Sequence, residues 1–404
     1  MEIMGGIDDS ADSALHFREV RRALKRSLLV ESFLGCRYSL SPYMACGHGC
    51  RYCDGRAEKY WVEGDFARDI VVRRNLPQLL RSELPKLRER APVAIGSGIT
   101  DAYQPLEARQ GLMRECARIL SEHDLPVSLL TKSALVSRDA DLWARVNAKS
   151  GFTLNMTIAT LDERVRSRFE PGASPIEERL ATLREFKKMG CPIGVMAMPV
   201  LPFISDGESD IHSLILAAKD AGADYVIVGG LTLRPGRQKA FYMEEICRSY
   251  PALEVRYRSL YAEEKPSGTC TREYRDELGA RISSAAKGLG VPPLQPHALY
   301  RGRLPLYDEL HLLLLHMEEL YGTRGIPVHG LHRATARYTE WLSARKRVFN
   351  RTRKMRQEDL EQEVRALFAS GRAEEALGNP KLAAFLGAVA REGKVFDYIS
   401  LSLM

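Results

Sequence analysis

Residues 192–230 read PIGVMAMPVLPFISDGESDIHSLILAAKDAGADYVIVGG, and this stretch settles the fold class. Two β-rich runs, 192–200 and 224–230, flank an amphipathic stretch at 210–223, with Gly222 placed to end a helix. Strand, helix, strand at this spacing means a parallel pair joined by a crossover, since an antiparallel pair needs only a short turn. Outward from there the unit recurs. "RYSLSPY" (37–43), "PVAIG" (92–96), "PVSLLT" (126–131) and "FTLNMTI" (152–158) supply four more strands. "LEARQGLMRECARILSEH" (106–123) carries Leu112, Cys116, Ile119 and Leu120 at helical spacing. "SPIEERLATLREFKKMG" (174–190) opens on Ser-Pro, has Glu177 three residues after Ser174, and closes on Gly190. The chain is therefore expected to be α/β, a partial (β/α)6 TIM-type barrel of parallel strands, since six units fall short of the eight of a closed barrel. Chemistry in such sheets sits at the carboxyl ends of the strands. "GSGITD" (96–101), "TKS" (131–133), "TIATLD" (157–162) and "MPVLP" (198–202) all fall there.

The flanks differ in character. Residues 1–36 read as a partly helical lead-in through "LHFREVRRALKRSLLV", residues 37–262 as the barrel, and residues 263–404 as a mostly helical C-terminal extension. "LPLYDELHLLLLHMEELYG" (304–322) is expected either to close the barrel bottom or to make a dimer. Residues 333–356, "RATARYTEWLSARKRVFNRTRKMR", are dense in Arg and Lys, which suits a solvated helix face or contact with nucleic acid. The net charge of +7 is compatible with an anionic partner. No apolar run is long enough to span a bilayer, and "MEIMGGIDDSADSALHF" lacks the charged-then-apolar order of a signal peptide. A cytoplasmic protein with no membrane partner is the expectation. Eight cysteines in 404 residues are too sparse for a disulfide scaffold.

Three of those cysteines crowd into "YMACGHGCRYCDGR" (43–56), directly after the first strand. Cys46, Cys50 and Cys53 have the spacing Cys-x3-Cys-x2-Cys. Thiolates bind soft metals. A Cys3His zinc site including His48 is one reading, although such sites usually pair two ligands from one loop with two from elsewhere. A [4Fe–4S] cluster on three cysteines, with one iron left open, is the other. A dinucleotide site at "GSG" (96–98) is excluded, because the third glycine and the downstream acid are out of register.

The cysteine spacing at this place resembles that of radical S-adenosylmethionine enzymes. "SPYMACGHGCRYCDGR", "GSGITDAYQPLE", "LLTKS", "RFEPGASPIEERL", "MPVLP" and "LRPG" are similar, in order, to the spore photoproduct lyase-like branch of that superfamily. The likeness runs from about residue 37 to 262. It implies that Cys46, Cys50 and Cys53 ligate a [4Fe–4S] cluster whose open iron takes the amino and carboxylate groups of S-adenosylmethionine. It also implies that an electron from an external donor cleaves that molecule to a 5′-deoxyadenosyl radical. The radical then abstracts hydrogen from an unidentified substrate, a nucleic-acid lesion being one expectation. Matched by position, Thr100 and Lys132 contact S-adenosylmethionine, with Lys132 toward its carboxylate. Asn155 and Thr157, on one face of the fourth strand, reach its ribose, and Arg179 is a further candidate. Tyr52 matches a tyrosine implicated in hydrogen transfer. Two departures stand out: Gly98 lies where the lyase has a hydrogen-donating cysteine, and Asp54 where a tyrosine follows the third cysteine. Cys116 and Cys191 read as core, Cys247 as a helix residue and Cys270 as a surface thiol. The competing expectation is a nucleic-acid-binding protein with a structural metal site and a basic helical C-terminal region.

Overall fold

The computed structural model describes residues 15–96 and 99–404. Six strands lie side by side in chain order: β1 (Tyr38–Leu40), β2 (Val93–Ile95), β3 (Val127–Thr131), β4 (Phe152–Thr157), β5 (Ile193–Val200) and β6 (Tyr225–Gly230). Each pairs parallel with the next. A seventh strand, Leu24–Arg26, runs antiparallel on the free edge of β1. It and β6 end the hydrogen-bonded order, so the barrel is partial, as expected.

Helices α1 (Leu76–Glu83), α2 (Leu112–Glu122), α3 (Ala140–Lys149), α4 (Ile176–Lys188), α5 (Glu208–Asp220) and α6 (Arg237–Ser249) follow β1 to β6 in turn. Their apolar faces cover the sheet; Trp143 of α3 stacks on Phe152 of β4 with ring centroids 4.9 Å apart. The single helix expected over 106–123 is broken at Gly111, whose φ of +62° splits a short turn, Glu107–Gln110, from α2. Gly190 and Gly222 end α4 and α5 in left-handed conformation, as expected. The start of α4 differs: Pro175 is its cap, and Ser174 Oγ instead accepts from Ala134 N at 2.9 Å, tying α4 to the loop after β3.

The helical lead-in is a correction. Leu15–Arg18 is a strand parallel to Ile70–Arg73, and Leu24–Arg26 joins β1. No helix occurs among described residues 15–36. The open edges of two sheets offer these segments backbone partners, and satisfying those donors and acceptors outweighs a weak helical pattern.

The extension holds α7 (Arg272–Ala286), α8 (Leu306–Thr323), α9 (His329–Arg351), α10 (Gln357–Ala369) and α11 (Pro380–Glu392). α7 packs on α5. The apolar run of α8 closes the barrel interior: Leu310, Leu312, Leu313 and Leu314 share one core with Val30, Leu34, Ala94, Met196, Tyr225 and Ile227. A buried ionic cluster joins this end to the barrel. Lys346 Nζ donates to Asp308 Oδ2 at 2.6 Å and lies 3.3 Å from Glu89 Oε1, while Glu89 Oε2 accepts from Arg37 Nη2 at 2.6 Å. The basic helix α9 turns Leu331, Tyr338, Leu342 and Phe349 inward and Arg333, Arg337, Arg347 and Arg351 outward. No described helix is long and apolar enough to cross a membrane.

Candidate active site at the carboxyl rim

The loop after β1 is held by its peptide groups. Ala45 and Gly49 take φ of +66° and +63°, bending it back on itself. Thr100 Oγ1 donates to Ala45 O at 2.8 Å, and Gly47 N donates to Gln104 Oε1 at 2.6 Å. Arg56 donates to the carbonyls of Cys50 and Gly49, at 3.0 and 3.1 Å. Gly172 N donates to His48 O at 2.9 Å, and a Cβ on Gly172 would lie 2.4 Å from Gly47 O. Only glycine permits that approach.

So braced, the loop sets Cys46, Cys50 and Cys53 in the wall of one cavity at the carboxyl ends of the strands. Thr100, Lys132, Thr157, Met196 and Met198 line it too. Its volume of about 260 Å³ is several times the roughly 30 Å³ share of one water, so it suits a group larger than an ion. Burial pushes the Cys50 thiol up to about 12 against the pull of Lys132, and it raises Cys46 and Cys53. Three thiolates here need added positive charge, which a bound metal cluster brings. His48 lines the same cavity. Its Nδ1 lies 3.5 Å from Asp101 Oδ2, and burial lowers its pKa, keeping the ring neutral. No group of three or more His, Cys, Asp or Glu among the described residues is gathered as a single ion requires.

Asp101 organises the neighbouring strand end. Its carboxylate accepts from Tyr103 N, Thr131 Oγ1 and Lys132 N, each at 2.8 Å. These bonds fix the backbone of Lys132 and leave its side chain to the cavity. The Lys132 ammonium lies 5.7 Å from the centre of the Tyr52 ring, and it has no ion-pair partner among the described residues. Burial would lower its pKa, but Cys50 and Glu170 outweigh that, so the group stays charged.

Tyr52 also lines the cavity, with its hydroxyl donating to Glu170 Oε1 in a short bond. Arg179 Nη2 stands 2.6 Å from Glu170 Oε2. Burial alone would raise Glu170, yet Arg179 and Lys132 hold its carboxyl below the ordinary range. Arg179 is not placed as the cofactor contact expected of it. It is fully buried, its Nε donates to Ser174 O at 2.8 Å, and its Nη1 donates to Thr157 O at 2.9 Å. It braces the end of β4 from behind and does not line the cavity.

Asn155 is not brought to the cavity either. It shares the inward face of β4 with Thr157 but sits two residues deeper. There its Nδ2 donates to Ser128 Oγ at 3.0 Å and to Leu129 O at 3.3 Å, and its Oδ1 accepts from Tyr225 Oη at 2.5 Å. Cys270 is buried in the barrel core, against the surface thiol expected. Cys116 and Cys191 are core, and Cys247 is partly exposed. Asp54 accepts from Arg234 Nε and Tyr60 Oη, both at 2.6 Å, linking the cysteine loop to "LRPG". The expectation about Gly98 lies outside the described residues. Sequence reasoning missed Asp101 and Glu170, although both stand in the quoted motifs. The available signal for Asp101 was an acid closing the turn after β2; Glu170, at the end of the short helix Glu163–Phe169, gave none.

The family model of the radical SAM superfamily matches residues 40–215, from the end of β1 into α5. The match takes in the three cysteines, Thr100, Lys132 and Thr157. An uncharacterized protein of Mycobacterium tuberculosis is 34% identical over 253 residues, covering 61% of this chain and 73% of its own length. The radical SAM Nalpha-GlyT isomerase of Pseudomonas phage M6 is 23% identical over 257 residues, covering 63% of this chain and 48% of its own. Among solved structures, spore photoproduct lyase complexed with dinucleoside spore photoproduct aligns over 68% of this chain and 78% of that one, with 16% identity and a TM-score of 0.49. On its family-model match, which takes in the cysteine motif, the chain belongs to the radical SAM superfamily of enzymes.

Proposed function

We propose that the chain holds a [4Fe–4S] cluster on Cys46, Cys50 and Cys53, binds S-adenosylmethionine beside it, and takes a hydrogen atom from a substrate at the barrel mouth. The superfamily implies an iron–sulfur cluster and S-adenosylmethionine. One observation carries the finer assignment: three thiols, an ammonium with no ion-pair partner among the described residues, and threonines including Thr100 and Thr157 line one cavity. When bound, cluster and cofactor together supply a carbon radical on one-electron reduction by an external donor.

The chain's own residues do the rest. Lys132 meets the cofactor's carboxylate, since its charge is retained and unspent. Thr157 reaches the ribose, and Thr100, its proton committed to Ala45, offers lone pairs. Met196, Met198, Leu130 and Leu231 give the cavity an apolar wall that excludes water. Glu170, between Tyr52 and Arg179, holds the floor of the site and keeps negative charge near Lys132. Tyr52 stands where a hydrogen could be returned to a product, once its bond to Glu170 opens.

Nucleic acid is the substrate class favoured by a separate observation, the outward row of Arg333, Arg337, Arg347 and Arg351 on α9. A binding protein built round a structural ion has no comparable support, because the family match is to an enzyme superfamily and no ion-sized ligand group is gathered among the described residues.

The test is anaerobic reconstitution with iron and sulfide. The wild-type protein should bind both and release 5′-deoxyadenosine with dithionite and S-adenosylmethionine, and Cys50→Ala should lose both properties. Zinc without iron in anaerobically purified protein would overturn the proposal.

A further inference from the structure

We propose that a second cavity, at the amino ends of the barrel strands, binds a phosphorylated small molecule through Arg301, Arg365 and Arg391. Its volume is about 450 Å³, within the range of small-ligand sites. It lies between Arg90, three residues before β2, and the start of α8, with Arg365 from α10 and Arg391 from α11. It is thus remote from the cysteine cavity, which opens at the carboxyl ends.

Three guanidiniums without ion-pair partners among the described residues outnumber the two carboxylates of the wall, Glu309 and Glu361. Arg90 is neutralised by two bonds to Asp124, at 3.0 and 3.1 Å. Arg301, Arg365 and Arg391 have no ion-pair partner among the described residues. Two of them are aimed by carbonyls instead: Arg365 Nη1 donates to Ala390 O at 3.2 Å, and Arg391 Nε to Gly387 O at 3.3 Å. The third lies against Gly393, where a Cβ would come within 2.5 Å of Arg301 Nη2.

The two carboxylates in the wall are hydrogen-bonded to groups other than the three arginines. Glu309 Oε1 pairs with His297 Nε2 at 3.0 Å, and its Oε2 accepts from Gly302 N at 3.3 Å. Glu361 Oε1 accepts from Gln357 Nε2 at 2.9 Å. Three guanidiniums with most of their N–H groups unspent, converging from three segments, present the planar donor forks that match phosphoryl oxygens. Leu304, Leu306 and Val389 give the other wall an apolar surface for the body of a ligand.

The test is calorimetric titration of the full-length, anaerobically purified protein at low salt with inorganic pyrophosphate and, separately, with AMP. Saturable binding of either with Kd below about 1 mM is expected. Arg365→Ala and Arg391→Ala should each weaken it tenfold or more. All three arginines are exposed, so the unliganded melting temperature should not move. Preference for pyrophosphate would assign an inorganic anion, and preference for AMP a nucleotide. Absence of saturable binding of both at millimolar concentration, or binding indifferent to all three arginines, would overturn the site.

Discussion

At the scale of single residues the cavity depends on two charges, half-buried Lys132 and fully buried Arg179, with different duties. Lys132 is a cation without an ion-pair partner among the described residues, and Arg179 is a cation paired with Glu170 and donating to two carbonyls. A charged hydrogen bond to a ligand is worth about 1.5–3 kcal/mol, or roughly tenfold to a hundredfold in affinity. Lys132→Met should therefore keep its iron after reconstitution but bind S-adenosylmethionine more weakly by that factor. Equilibrium dialysis checks this, and unchanged affinity would remove Lys132 from the site. Glu170→Gln acts on stability instead. It strands Arg179 in the interior, which should cost about 3–5 kcal/mol in urea unfolding, and adding Arg179→Met should recover part of the loss. The cysteines were legible because one loop must supply all three thiols, so their spacing is local. The fate of Asn155 was not, since alternation gives the face of a strand but not the depth along it.

At the scale of elements, α8 shows what a buried helix asks of its polar residues. His316 donates from Nε2 to Ser32 O at 2.9 Å, and its Nδ1 accepts from Tyr398 Oη at 2.8 Å; Tyr300 packs edge-on to its ring, and His297 repels its charged form. His311 faces Thr339 Oγ1 and the charge of Lys346. Burial drives both histidines down to about 4. In the unfolded chain each binds a proton near pH 6.5. Between these values the unfolded state holds more protons, so stability rises with pH, is complete above about 6.5, and falls away as pH drops toward 4. Each histidine should cost about 2 kcal/mol by pH 5, at roughly 1.4 kcal/mol per unit. Denaturant midpoints at neutral pH and near pH 5 measure the loss, and His316→Gln should remove about half of its pH-dependent part. An unchanged slope would show that His316 is not held neutral. The lead-in failed as a helix at this same scale. Its pattern is only weakly amphipathic, and two sheet edges stood ready to pair with it.

At the scale of the whole molecule, barrel and helical extension share a core. Met196, Tyr225 and Ile227 of the barrel pack with Leu310, Leu312 and Leu313 of α8, and Lys346 of α9 answers Glu89 at the head of β2. A chain ending before α8 would bare that apolar interior to water, so it should show no cooperative thermal transition. A sharp melt for that fragment would restore an independent barrel. The alternation of strands and helices, the six parallel strands and the trio of thiols were determined by the sequence alone. They rest on periodicity and ligand spacing over a few residues, where backbone geometry does the selecting. Only the tertiary structure decided that Leu15–Arg18 and Leu24–Arg26 are strands, that Arg179 is buried behind the site, and that α8 fills the barrel. It also decided that three arginines converge on one cavity. The strand pairing of the lead-in and the seating of α8 rest on partners far along the chain, as with His316 and Ser32, 284 residues apart. Such pairs form only when apolar burial draws the elements together, so no local pattern announces them.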